Sequence, residues 1–160
     1  MHLGVRIAAL TLGLAAVVSP ASGQTVEVIR KALDVVSTNR DEMNDAAGRL
    51  RPLVLAGTAH EAEPIQTLLV AINALDARTD AVLLVGAVLV DMKTPEDFAV
   101  AREQFKRAAR RMQETSNDQL DFIEESQKRI KSPDAAAQAT QVRDAVKAIR
   151  DAVHPYTARE

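Results

Sequence analysis

VEVIRKALDVVSTNRDEMNDAAGRLRPLVL, residues Val26–Leu55, decides the fold. Val26, Ile29, Leu33, Val36, Met43, Ala47, Leu50 and Val54 recur in alternating steps of three and four, with Arg40 the one polar member of the series. That spacing gathers side chains on one face of an α-helix and scatters them over both faces of a strand. A seam this regular marks a helix that lies along other helices. Gly57 follows it, as a helix C-terminus favours. Pro52 is expected to kink or end the last turn, because it has no N–H to donate. Gly48 is a further weak point.

The same punctuation continues outward from this segment. Thr58-Ala59-His60-Glu61 has the spacing of a capping box, with Pro64 near the first turn. Ile65, Leu68, Ile72, Leu75, Thr79, Val82, Gly86 and Leu89 give a second seam, ending near Asp91–Lys93. Thr94-Pro95-Glu96-Asp97 supplies an N-cap, a proline at the first helical position and acids in the first turn. The helix it opens is expected to run to about Ile130. Its stripe is Phe98, Ala101, Phe105, Ala109, Met112, Ile123 and Ile130, weakened by Ser116 and Gln119. A fourth helix opens at Ser132-Pro133-Asp134 and carries Ala135, Ala139, Val142, Val146, Ile149 and Val153. Pro155 is expected to stop it and leave Tyr156–Glu160 as a loose tail. Short connections make consecutive helices antiparallel neighbours. The sequence therefore predicts an all-α, up-down-up-down four-helix bundle over residues 24–160.

Composition agrees with helix. Three Phe, one Tyr and no Trp among 160 residues leave a chain dominated by small and aliphatic side chains. Formal net charge is −2. A nucleic-acid binder would show a basic excess, and a binder of anionic lipid a polybasic segment, so neither partner is expected. The absence of cysteine excludes a disulfide, a thiolate metal site, a covalent haem attachment and a catalytic thiol.

Residues 1–23 read as a secretory signal peptide. Met1–Arg6 is short with one positive charge, and Ile7–Val18 is apolar apart from Thr11 and Gly13. Ala21-Ser22-Gly23 then places small residues before a cleavage point at Gln24. An apolar core of twelve residues falls short of the roughly 20 that a spanning helix needs. Export to the periplasm or the medium is expected, with no stable membrane anchor after cleavage. Removing Arg6 from the 20 basic residues while keeping all 22 acids leaves the mature chain at −3.

The up-down topology assigns heights along the bundle. The level shared by Val26–Val36, Ala81–Val90, Phe98–Phe105 and Val142–Val153 is dense in large apolar residues. The opposite end is polar or alanine-rich, so stability is expected mainly from the first level. Arg40 lies on a core seam at mid-height beside Asp76 and Asp80. A guanidinium facing a core needs a partner, so Arg40 is expected to form a buried ion pair with Asp76 or Asp80.

No catalytic or cofactor motif emerges, and the reading is non-enzymatic. His60 and His154 are expected at opposite ends of the bundle, too far apart to share a metal. Neither lies three residues after a Glu, so the di-iron pattern of helical bundles is absent. Glu114, Asp118, Asp121 and Glu125 share one helix face and could attract a cation, although a solvated face relieved by Lys128 and Arg129 accounts for them. Arg102, Lys106, Arg107, Arg110 and Arg111 could hold an anion, although Glu103 stands four residues before Arg107 as a helix pair.

The run Ala81–Val90 is more informative. Ten successive residues are apolar or glycine, whereas a bundle helix needs only part of its circumference apolar. Val82, Leu83, Leu84, Val85, Val88 and Leu89 are therefore candidate interface residues. Their expected cover is a second copy in a homodimer, a protein partner or a small apolar ligand, and Gly86 would admit a close helix.

Asn44-Asp-Ala-Ala-Gly-Arg-Leu-Arg51 resembles the Asn-x-Ala-Gly-x-x-Arg segment of the helical periplasmic sensor domains of nitrate-responsive kinases and pilus-chemotaxis transducers. The likeness covers under ten residues. It carries one extra residue between Asn44 and Gly48, and Pro52 follows where that family stays helical. The resemblance implies an anion-binding sensor or accessory module, with Arg51 as the anion contact and Arg49 beside it.

Overall fold

The structure is a computed structural model that describes residues 20–56 and 59–157, with side chains over 26–56 and 60–157. Four helices account for nearly all of it: α1 (Pro20–Ala56), α2 (Ala59–Asp91), α3 (Pro95–Arg129) and α4 (Pro133–Val153). A single 3-10 turn, His154–Tyr156, follows α4. No strand occurs among the described residues. The expected signal sequence up to Ser19, Gly57 and Thr58 with the expected capping hydroxyl, and the last three residues lie outside those described.

Each helix packs beside two others, in the circuit α1–α2–α3–α4–α1, and α2 and α4 touch only lightly across the centre. The seams read from the spacing point inward. All eight positions of the α2 seam, from Ile65 to Leu89, are buried. In α1, Ile29, Val36, Met43, Ala47 and Leu50 are buried, with Val26, Leu33 and Val54 at the margin. All six apolar positions named in α4 are buried. Paired contacts fix the register. Leu33 lies against Gly86, Arg40 against Asp76, Thr79 against Met112, and Glu63 against Arg129.

Helix ends follow local chemistry where a hydroxyl can reach an orphan N–H. Thr94 Oγ1 accepts from the Asp97 amide at 3.2 Å, and Pro95 occupies the first helical position. Ser132 caps α4 with its carbonyl, which accepts from the Ala136 amide at 2.9 Å, and its hydroxyl makes no cap bond. Pro52 does not end α1, which continues to Ala56. α1 also starts earlier than its seam, at Pro20.

The structure departs from the sequence expectation at three places. The end of the bundle holding the α1–α2 turn is not poor in core. Leu50, Ile65, Leu68, Ile72 and Ile123 are among the largest fully buried side chains, alongside Ile29, Phe105, Leu89 and Ile149 near the other end. Composition by height misled because one large residue per turn suffices when every one faces inward. The stripe of α3 also runs through Leu120 and Ser126, both buried, and not through half-buried Gln119. Finally, Tyr156 is not in a loose tail. Its ring meets Phe105 edge-on with centroids 5.1 Å apart, and burial pushes its phenol above the usual range.

Candidate functional site: the outer face of α2

Of the candidate interface residues, Val82 and Leu89 are fully buried core and cannot form a surface. Leu83 and Val85 are half-buried against the core. Leu84 and Val88 face outward, Leu84 at 69% exposure. Gly86 does not serve an outside partner: a Cβ there would run into the Leu33 methyls, so the missing side chain sets the α1–α2 approach.

The exposed apolar surface nevertheless extends well beyond Ala81–Val90. Val70, Ala74, Ala77, Ala81, Leu84 and Val88 are all exposed, and they step by four, three, four, three and four. They form a second heptad seam on the side of α2 turned away from the core. Val70 is 68% exposed. Val70, Ala74 and Ala77 do not stand out in the sequence: Val70 lies in the apolar stretch Leu68–Ile72, where nothing marks it as the outward member, and Ala74 and Ala77 are small residues beside Asn73, Asp76 and Arg78. The spacing was the available signal. Reading one apolar run is a question of composition, whereas separating two interleaved seams requires knowing which one is covered.

Charged and exposed apolar residues on α3 adjoin this seam. Arg129 Nη2 lies 2.7 Å from Glu63 Oε2. Glu63 belongs to the outer register of α2, seven residues before Val70. Arg129 continues the register of Arg107, Arg111, Glu114, Asp118, Asp121 and Glu125, all of them exposed. The two registers therefore share one face of the bundle. Val100 and Phe122, both more than half exposed, belong to the same side of α3.

The remaining candidates are placed separately. Arg40 Nε stands 2.7 Å from Asp76 Oδ1, and its Nη2 stands 2.8 Å from Asp80 Oδ1. Asn44 Nδ2 donates to the same Asp76 oxygen at 2.9 Å. The trio is not enclosed: Arg40 and Asp76 are part-buried at the edge of the α1–α2 seam, and Asp80 is exposed. A long guanidinium reaches from the seam to the surface, which lowers the desolvation cost. The Arg40 bond and the Asn44 amide hold the Asp76 carboxyl below its usual range, and the bond to Asp76 raises Arg40.

Arg49 and Arg51 are exposed near the end of α1. His60 is exposed, and His154 Nδ1 lies 2.7 Å from the Gln113 amide nitrogen. No cluster of three or more metal-ligating side chains occurs among the described residues, the acidic ladder of α3 included. Two depressions, both wide open to solvent, are lined by Val100, Gln104 and Arg107 and by Leu120, Asp121 and Lys147. No described helix is long and apolar enough to cross a membrane. Comparison with protein-family models, with curated proteins and with solved structures finds no match.

Proposed function

We propose that this is an exported, non-enzymatic up-down-up-down helical bundle that acts by binding, through the outer face of α2. The observation that carries the reading is the exposed apolar seam Val70–Val88. A row of apolar residues left in water along one helix face is the kind of surface that marks an interaction site. Leu33 opposite Gly86 and Arg40 opposite Asp76 support the opposed sense of α1 and α2. Residues 1–23 support export by their layout.

The test uses the absence of cysteine. Leu84→Cys and, as a control on α1, Glu27→Cys each introduce one thiol at an exposed site. In intact cells expressing the full chain, a water-soluble thiol reagent is expected to label the control quickly and Leu84→Cys slowly. Equal rates would show that nothing covers the face where the protein works, and the reading would fall.

A further inference from the structure

We infer that the occupant of this face is a second copy of the same chain, docked antiparallel about a two-fold axis that passes at the level of Thr79 and Met112. This rests on the reading of the outer α2 face as a binding surface. Two independent features of the surface place the axis at one height.

The first is steric. Val70 and Val88, Ala74 and Leu84, and Ala77 and Ala81 are each equidistant from residue 79. An antiparallel copy therefore sets Val70 against Val88 of the partner subunit. Leu84 meets the partner's Ala74, and Ala77 meets the partner's Ala81. The large side chain meets a small one, and the central alanines let the two helices approach closely. A parallel copy would oppose Leu84 to the partner's Leu84 and leave alanine facing alanine beside it.

The second is electrostatic. On the adjoining register of α3, Arg107 and Arg111 precede Glu114 and Asp118, and all four are exposed. The sign of charge changes between residues 111 and 114, beside Met112. The Met112 sulfur is 3.8 Å from the Thr79 hydroxyl, so this boundary lies level with the centre of the α2 seam. The same two-fold therefore brings Arg111 to the partner's Glu114 and Arg107 to the partner's Asp118. The basic and acidic clusters of α3 become complementary halves of one self-matching surface. A parallel two-fold along α2 would place the two α3 helices on opposite flanks of the α2 pair and leave these charges without their match.

The experiment is sedimentation of the purified protein, produced from the full coding sequence, across a concentration range and at low and high salt. A dimer that weakens with salt is expected. Arg107→Glu with Arg111→Glu should weaken it by about tenfold or more, and so should Glu114→Arg with Asp118→Arg. Mixing the two charge variants should restore association. All four positions are exposed, so helical content should stay unchanged.

Orientation is read separately by oxidation of Val70→Cys and Val88→Cys. The mixture should form a mixed disulfide, whereas Val70→Cys alone should not self-link, because roughly 27 Å would separate the two thiols. A protein monomeric at every concentration, self-linking of Val70→Cys, or a charge-variant mixture no tighter than its components would each overturn the inference. If the purified protein is monomeric while Leu84→Cys is still shielded in cells, the second copy is ruled out and the binding face stands. If Leu84→Cys labels freely in cells, both fall.

Discussion

The two faces of α2 carry the same pattern and have opposite fates. Ile65 to Leu89 and Val70 to Val88 are both apolar series at heptad spacing. The first is buried by α1 and α3, and the second is left in water. A heptad seam shows that a helix can be packed against, without fixing from which side or by what. Substitutions that separate the two faces make the contrast measurable.

The largest expected effect is on the inner seam. Leu75 is fully buried, so Leu75→Ala should cost about 2–5 kcal/mol in urea denaturation. Leu84→Ala on the outer seam should change the stability of the isolated subunit by no more than about 0.5 kcal/mol. Equal costs would erase the distinction between the faces. Gly86→Ala comes next. The new methyl must displace the Leu33 side chain at about 1–3 kcal/mol, of which the better helix propensity of alanine returns about 1. Adding Leu33→Ala should give part of that back in a double-mutant cycle.

Smaller effects concern polar groups near the inner faces. The Ser116 hydroxyl is buried and makes no hydrogen bond to any described residue. Ser116→Ala should therefore stabilise the protein by about 1 kcal/mol, seen as a higher melting temperature. Thr79 on α2 is equally buried, but its hydroxyl donates to the Leu75 carbonyl at 2.9 Å, so removing it should bring no comparable gain.

The smallest effect belongs to the ion pair at the edge of the seam. The Asp76 carboxyl titrates lower in the folded protein than in the unfolded chain. Its contribution is therefore complete above the unfolded value of about 3.9 and fades as pH falls through the folded value. Because the pair is partly exposed, Asp76→Asn should cost about 0.5 kcal/mol at neutral pH and flatten the acid limb of the stability curve. Asp80→Asn, at a more exposed carboxylate, should cost less.

Most of the helices were legible because their signals are local. Thr94-Pro95 and Ser132-Pro133 mark starts through backbone chemistry that needs no tertiary partner. The seams of α1, α2 and α4 were legible because spacing alone fixes which residues share a face. The candidate site was legible only in part. Leu84 and Val88 stand in one apolar run with Val82 and Leu89, and a wholly apolar run gives no indication of which side is covered. Val70 is hidden in the same way, inside the apolar stretch Leu68–Ile72, whereas Ala74 and Ala77 are too small and too close to Asn73, Asp76 and Arg78 to mark an apolar face.

Local sequence alone establishes four helices, the bounds of all but the start of α1 to within a few residues, and the need of Arg40 for an acid at its level. These follow from periodicity and capping, which act over a few residues of chain. Packing across the bundle settles which of the two α2 seams faces the core, that Gly86 is an internal contact, that Tyr156 packs on Phe105, and that the registers of α2 and α3 adjoin on one face. Those outcomes depend on which surfaces meet across the bundle, and burial is a property of the pair of surfaces and not of either helix alone.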